Sequence, residues 1–430
     1  MSEKKLKFKI ESLGCKVNSY ECASLKALFL KRGYLESAKD EQCDIALLNT
    51  CSVTATADQK SRQYIRRLKK ENPQATIVVM GCYSQGHHRY IADEIKADII
   101  VGTSNRHMIP ELIERFRKTK QAIDLTEDNP RKFEYEELSV TSFTENVRAY
   151  LKIQDGCDNF CSYCIIPFVR GKMRSRAKED ILLEARSLIE KGYKEIVLTG
   201  IHVGGYGRDL SDYTFSDLLE ELSALEGLER LTISSLEDSE IDDKFYELLK
   251  IRKNIARHLH IPLQSGSETV LKRMNRKYDK KAFLNTIKKI KRVVPEIALT
   301  TDIIVGFPGE TEEEFLETFN FIKEVGFSML HVFPFSAREG THAYKMKNQV
   351  SPEIKKERTK KLRDLSSLLW EEYKSQFYGR KLKVLIENFD EKTKRIYGHS
   401  ENYIEVWIKG DKSMINSIIE IKFSKDKNKS

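Results

Sequence analysis

Residues 156–164 read GCDNFCSYC, placing Cys157, Cys161 and Cys164 at Cys-x3-Cys-x2-Cys spacing directly after a short apolar-alternating run, 150–154. Three thiolates this close in one loop suit a soft, thiolate-seeking metal centre. Three is also one short of the four ligands that a closed zinc or iron–sulfur site takes. A zinc knuckle would need a fourth His or Cys within a few residues, and the sequence has none there. Disulfides are disfavoured by the odd number. A cube-shaped 4Fe-4S cluster held by this loop would keep one iron open, and the chemistry is expected at that iron.

The chain around this loop has 430 residues, enough for two or three domains and a sizeable core. Its 40% hydrophobic and 32% charged content is that of a globular protein with a well-charged surface. No apolar run approaches the ~20 residues of a membrane span. The start, MSEKKLKFKI, runs into a strand-like pattern without an apolar signal core, so the expected location is cytoplasmic and no membrane partner is expected. Eight cysteines lie at 15, 22, 43, 51, 82, 157, 161 and 164. In a reducing compartment so skewed a set favours metal or redox chemistry over disulfides. The net charge of +9 permits a polyanionic partner without requiring one.

Upstream of the loop, apolar strand candidates at 6–13, 45–49, 76–80 and 98–101 alternate with helical patterns at 18–32, 58–71, 85–95 and 105–117. That alternation predicts a parallel sheet wrapped by helices, an N-terminal α/β domain over 1–118. Cys15 (SLGC), Cys51 (LLNTC) and Cys82 (VVMGC) each follow a strand. In a parallel sheet the carboxyl ends of the strands share one edge, where ligands usually bind. The three are therefore expected to meet as a second three-thiolate site, with Gly14, Thr50 and Gly81 beside them giving close backbone approach. Buried cysteines are common in cores, and Cys22 and Cys43 are read that way. The helix from Asp58 carries Lys60, Arg62, Arg66, Arg67, Lys69 and Lys70, either a solvated face or a contact to a phosphate backbone. The Asp/Glu/Pro/Lys-rich stretch 119–142 reads as a linker.

Beyond it, strand candidates at 150–154, 195–199, 230–234, 258–262, 298–305 and 329–333 are separated by helical stretches, which predicts a six-unit partial parallel barrel over 143–373. Barrel sites lie at the carboxyl ends of strands, where the cysteine loop, LTGIHVGGYG, IPLQSGS and VGFPGET all fall. Thr199-Gly200, Gly204-Gly205 and Gly306 to Glu310 would let a ligand approach the backbone, although tight turns also need glycine. Gln264 and Ser265 would bond a polar ligand or their own loop. Arg170, Lys172, Arg174 and Arg176 would face an anionic substrate. Ser351-Pro352 opens a long helix expected to close at Gly379. Residues 374–430 read as a small C-terminal β module, with 12 Lys/Arg against 8 Asp/Glu over 380–430. Interleaved with Tyr397, Tyr403 and Trp407, this charge suits an RNA strand bound by phosphate contact and stacking, or else a module that packs on the barrel.

The loop and its surroundings resemble the radical S-adenosylmethionine enzymes, and the full set GCKVNSYE, NTCSVT, GCYSQ, GCDNFCSYCIIPFVRG, LTGIHVGGYG, LQSGS and VGFPGET resembles their methylthiotransferase branch. The resemblance covers essentially the whole chain, including a small β-barrel like the family's TRAM domain. GCKVN with NTCSVT is most similar to the group acting on threonylcarbamoyladenosine 3′-adjacent to the anticodon. It implies that Cys157, Cys161 and Cys164 hold a 4Fe-4S cluster whose free iron chelates S-adenosylmethionine, which is then cleaved to a 5′-deoxyadenosyl radical. Thr199, Gly200, Gln264, Gly306 and Glu310 would contact that cofactor. Cys15, Cys51 and Cys82 would hold a second, auxiliary 4Fe-4S cluster that delivers sulfur for methylation to a 2-methylthio group. The implied partners are the tRNA anticodon stem-loop and a flavodoxin-like electron donor, with no DNA. Groups acting on isopentenyladenosine tRNA or on a ribosomal-protein aspartate, and a non-catalytic iron–sulfur RNA-binding protein, are the alternatives.

Overall fold

The computed structural model describes residues 5–38, 41–140 and 147–425, so both ends of the chain text read above, residues 1–4 and the end of the lysine-rich tail, lie outside the described residues. The chain forms two compact units. One comprises Met1–Ser142, Gln154–Arg176 and Ser336–Tyr344; the other comprises Phe143–Ile153, Ala177–Phe335 and Lys345–Ser430.

The first unit is built on a parallel sheet. Its elements are β1 (Lys7–Ser12), α1 (Lys16–Lys31), β2 (Leu35–Glu36), β3 (Ile45–Thr50), α2 (Ala55–Glu71), β4 (Thr76–Gly81), α3 (Cys82–Tyr90), β5 (Ile99–Ile100), α4 (Ile109–Thr119) and β6 (Ile123–Asp124). The strand order is β2-β1-β3-β4-β5-β6, every pair parallel. The central strands IALLNT and TIVVMG are buried at every position, as sheets covered on both faces require. Ala46, Leu48, Ile77 and Val79 pack on Ile65 and Leu68 of α2. The alternate residues Ile45, Leu47, Val78 and Met80 pack with Leu25 and Phe29 of α1 and Leu112 and Ile113 of α4. Fully burying one such side chain is worth about 1.5–3 kcal/mol, so the two faces together fix the register. The two-residue edge strands β2 and β6 are too short to show a period in sequence.

Residues 119–140, expected as linker, are strapped onto this unit. Ile123–Asp124 pairs with β5, Phe133, Leu138 and Val140 are buried, and the Tyr20 hydroxyl donates to the Leu138 carbonyl. The rest of the expected linker, 141–142, lies outside the described residues.

The second unit contains the six expected parallel strands. Arg148–Lys152, Glu195–Thr199 and Arg230–Ile233 form one sheet, and His258–His260, Ala298–Val305 and Met329–Pro334 another, with a parallel bridge Leu231↔Ile255 joining the series. The result is the open, partial barrel that six rather than eight βα units give. The long helix Pro352–Ser375 starts as expected, with Ser351 accepting from the Ile354 amide, and ends a few residues before Gly379. The terminal module is a curled four-stranded antiparallel sheet, Glu405–Lys409, Arg395–Ser400, Lys381–Asp390 and Ile418–Lys422 in that order. The strand at 395–400 carries Gly398 in its interior. A Cβ there would overlap the Leu385 carbonyl, so the glycine is a close strand approach rather than a turn.

Two glycines of the first unit are fixed by geometry. Gly14 and Gly81 have φ +104 and +102. A Cβ on Gly81 would lie 2.6 Å from the Thr50 carbonyl oxygen, so β4 can pass straight into α3 at Cys82 only with glycine here. Gly81→Ala is expected to lower stability by at least about 1–3 kcal/mol, measured by urea unfolding of the iron-free protein. An unchanged midpoint would refute the reading.

Candidate functional site

The strands β1, β3 and β4 are neighbours in the sheet, and a cysteine stands within three residues of the end of each: Cys15 at the N-cap of α1, Cys51 directly after β3 and Cys82 directly after β4, opening α3. The sheet order reverses between β1 and β3, the switch point at which open α/β sheets bind ligands. A Cβ on Gly14 would sit 2.7 Å from the Cys51 sulfur, which shows how closely the first turn lies against the second cysteine. Cys51 and Cys82 are buried and Cys15 is exposed, so the trio opens to one side. Burial pushes the Cys82 thiol up to about 12 and raises that of Cys51; neighbouring thiols add to the rise, and the Arg170 cation opposes it. Without a metal ion to take them, these sulfurs keep their protons. A soft metal that displaces those protons resolves the conflict. Cys22 and Cys43 stand apart, Cys22 contacting the Glu11 carbonyl and Cys43 the Asn72 side chain.

The second trio lies on the 157–164 loop in the same compact unit. The loop is closed at its base by antiparallel pairing of Gln154 and Asp155 with Ser175 and Arg174. The Cys157 amide donates to Gly171 O (3.1 Å), the Met173 amide to Asp158 (2.9 Å) and the Cys164 amide to Cys161 O (2.9 Å). All three cysteines are partly accessible. Among the described residues no three His, Cys, Asp or Glu side chains converge on one metal ion. A cube, with its irons at separate corners, takes one thiolate per corner and does not need them to. The donor sets of both trios fit such a group.

A cavity of about 700 Å³ touches both loops, for Ser52 follows Cys51 and Ile165 follows Cys164. Its walls include Asp58, Gln85, Phe168 and Arg338. Asp58 is held by Ser52 Oγ (2.8 Å) and Arg338 Nη2 (2.7 Å). Phe168, half exposed, meets Phe160 edge-on at 5.9 Å.

Residues 151–322 match the family model described as the radical SAM superfamily, and residues 7–102 match an uncharacterized protein family, UPF0004. The threonylcarbamoyladenosine tRNA methylthiotransferase MtaB of Bacillus subtilis (strain 168) is 47% identical over 96% of this chain and 93% of its own. The chain belongs to the radical SAM methylthiotransferases. The tRNA-2-methylthio-N(6)-dimethylallyladenosine synthase of Thermoanaerobacter sp. (strain X514) is 37% identical over 99% of this chain and 91% of its own. The solved structure of the radical S-adenosylmethionine methyltransferase TsrM from Kitasatospora setae matches with a TM-score of 0.59, covering 77% of this chain and 75% of that one. At 13% identity that likeness concerns the fold. Enzymes of this family use S-adenosylmethionine and 4Fe-4S clusters.

In this methylthiotransferase the residues of the familiar motifs build a buried charge network. Arg170 is fully buried. Its Nη1 donates to Glu21 (2.9 Å) and to both Asp155 oxygens (3.0 and 3.1 Å), its Nη2 to Asn18 (3.2 Å) and Glu21 (3.3 Å), and its Nε to the Cys82 sulfur (3.2 Å). Arg106, also buried, pairs with Glu21 and with Glu136 (2.7 Å). Arg174 lies 3.7 Å from Asp155. Arg176 is buried against Glu137 (3.1 Å). The expectation that Arg170, Arg174 and Arg176 face a substrate is therefore corrected: all three guanidinium groups are buried, Arg170 and Arg174 beside the buried Asp155 and Arg176 against the exposed Glu137, and of the four basic residues only Lys172 is exposed. Glu21, Arg106 and Asp155 were missed; charged residues inside the apolar pattern of α1 and before the cysteine loop were the available signal.

In the second unit, Thr199 and Gln264 are buried and Gly200 is half-buried. Gln264 has φ +63, and its backbone bonds Asp302 O and the Ile304 amide. Gly306 N donates to Glu310 (2.6 Å), whose buried carboxylate also pairs with Arg358 (2.7 Å). Burial raises the Glu310 pKa, and these two contacts oppose the rise. Glu310 thus closes its own loop. The space beside Gly204 is filled by the Glu240 carboxylate, so that glycine serves packing.

Removing one partner of a buried ion pair strands the other, at about 3–5 kcal/mol. Arg106→Met is expected to lose that much stability in urea unfolding; a loss below about 1 kcal/mol would show the network to be solvated.

Proposed function

We propose that this protein is a tRNA methylthiotransferase that inserts a 2-methylthio group into N6-threonylcarbamoyladenosine 3′-adjacent to the anticodon. The observation that carries the choice of substrate is the 47% identity, over 96% of this chain, with a methylthiotransferase of that name, against 37% over 99% with a dimethylallyladenosine enzyme. On this reading Cys157, Cys161 and Cys164 hold the 4Fe-4S cluster that works with S-adenosylmethionine, and Cys15, Cys51 and Cys82 hold the auxiliary cluster. Bound there, these groups supply the one-electron chemistry that an unactivated aromatic C–H bond requires and side-chain acids and bases cannot provide.

The protein's own contribution is position and enclosure. The cavity between the two cysteine loops is of a size that takes a nucleoside. The exposed Phe160–Phe168 pair beside it offers a ring for stacking on an extruded base. The Asp58–Arg338 pair fixes one wall. Thr199, Gly200, Gln264 and Gly306 are proposed to contact the cofactor, with Glu310 holding the Gly306 turn in shape.

Lys60, Arg66 and Lys70 lie on the exposed face of α2, where they are proposed to meet phosphates. Arg67 and Lys69 are engaged, with Glu11 and with the carbonyls of Ile95 and Lys96. The terminal sheet, with its basic surplus, is proposed as a TRAM-like RNA-binding module. Its aromatic residues already stack on one another, Tyr397 on Trp407 at 4.5 Å and Tyr403 between His258 and His399, so phosphate contact is its main contribution. The functional division proposed is 1–118, 119–142, 143–373 and 374–430, with a flavodoxin-like protein as electron donor in the cytoplasm. Among the described residues no helix is long and apolar enough to cross a membrane.

Nucleoside mass spectrometry of tRNA from cells with and without the protein tests the substrate. The expected result is loss of the 2-methylthio form of threonylcarbamoyladenosine alone; loss of the dimethylallyl form instead would overturn the choice. Replacing Cys157, Cys161 and Cys164 together with Ala is expected to abolish S-adenosylmethionine cleavage and leave roughly half the iron, one cube of two. Replacing Cys15, Cys51 and Cys82 is expected to spare cleavage and stop sulfur insertion, so methylthiolated tRNA from that variant would refute their role.

A further inference from the structure

We propose that Arg170 is a positioning residue for the auxiliary cluster, its Nε–H hydrogen-bonding the Cys82 sulfur so as to raise that cluster's reduction potential, while its Nη groups tie the same ligand to the loop that carries Cys157. The inference rests on the reading of Cys15, Cys51 and Cys82 as cluster ligands.

The geometry is specific. Guanidinium is planar and rigid, with donors in fixed directions. Here one edge meets sulfur at 3.2 Å, and the opposite groups meet Asp155, Glu21 and Asn18 at 2.9–3.3 Å. Asp155 also accepts from the Gly156 amide at 2.8 Å, at the residue before Cys157. Asn18 in turn donates to Leu13 O (2.6 Å) and Thr50 O (3.1 Å), the strand ends that precede Cys15 and Cys51. One side chain thus touches a ligand sulfur directly and reaches the backbone beside the other thiolates through a single intermediate. A full positive charge donating to a ligand sulfur, away from water, stabilises the more negative, reduced state of an iron–sulfur cluster. Three carboxylates face the group (Glu21, Asp155 and, through Arg106, Glu136) and three cations answer them (Arg170, Arg106 and Arg174), so the Nε–H is the directed contact in a network near neutrality.

The test uses full-length protein with Cys157, Cys161 and Cys164 replaced by Ala, reconstituted anaerobically so that the auxiliary cluster is the one titrated. Midpoint potential and electron paramagnetic resonance of the reduced cluster are compared for Arg170, Arg170→Gln and Arg170→Lys. Arg170→Gln is expected to disfavour reduction about tenfold, a fall of about 59 mV for a one-electron couple. Arg170→Lys, which keeps the charge and loses the planar fork, is expected to fall between. Glu136→Gln disturbs the same network without touching sulfur, and is expected not to lower the potential.

An unchanged or higher potential in Arg170→Gln at equal iron content overturns the proposal, as does an equal fall in Glu136→Gln, which would mark a structural role. If Arg170→Gln does not retain its cluster, Arg170→Lys decides: a lowered potential supports the proposal and an unaltered one overturns it. A triple-Ala protein that binds no cluster with Arg170 intact overturns the ligand assignment itself, a result distinct from any shift in potential.

Discussion

The first unit is organised around charges that have been taken out of water. Glu21 is completely buried on α1, between the guanidinium groups of Arg106 and Arg170. Desolvating an ion costs several kcal/mol after relaxation, and a buried pair recovers that only when every remaining donor and acceptor is met. Glu21 also accepts from Asn49 (3.1 Å), and Asp155 accepts from Arg170 and from the Gly156 amide. Such an arrangement tolerates one register. Sliding α1 along the sheet, or shifting the 154–176 hairpin, would strand a buried charge. Cys15 at the start of α1, Cys82 against Arg170 and Cys157 two residues beyond Asp155 are therefore held by the same constraint.

This gives the motif letters a physical reason. In GCKVNSYE, Asn18 and Glu21 accept the Arg170 fork, and in NTCSVT the Asn49 amide completes Glu21. The arginine of FVRG is the partner of both, and Thr103 further fixes that segment by donating to Val169 O (2.6 Å). Text that surrounds each cysteine in sequence proves to be the text that aligns the loops in space. Much of this could be read beforehand. Apolar alternation disclosed the parallel sheet, and the sheet alone implied that Cys15, Cys51 and Cys82 would meet, because that follows from strand direction and needs no side-chain detail.

What could not be read was the fate of the charged residues. Arg170 and Glu21 are 149 positions apart, and no local pattern distinguishes a solvated arginine from one with a buried partner that distant. The burial within 119–140 was hidden for a related reason: irregular chain buries isolated residues such as Phe133 and Leu138 without a period to reveal them. Glycines carried the opposite ambiguity. Gly14 and Gly81 are demanded by positive φ beside the cysteines, whereas Gly204 makes room for Glu240, which also pairs with His202 and Arg208. The identity of the residue is the same in each case, and only the backbone angle and the neighbours separate a turn beside a cysteine from an internal packing site.

The two units use ionic groups to different ends. Around the cysteines, arginine is buried with carboxylates in near balance, so the field at the sulfurs is set by direction rather than by net charge. On the terminal sheet Glu387 is paired with His399 (2.7 Å) and Arg148 (3.3 Å), but other pairs, such as Lys381–Glu420 and Lys394–Glu391, are exposed, and exposed pairs are worth little. That sheet is held instead by an apolar core of Val384, Ile386, Ile396, Ile404 and Val406, which it shares with Ala298 and with Tyr373 and Phe377 at the end of the long helix and just beyond it. Its surface lysines, several of them paired with carboxylates in this exposed way, remain in water. Buried charge fixes geometry where the chemistry is exacting. Solvated charge is left where the apolar core already fixes the fold.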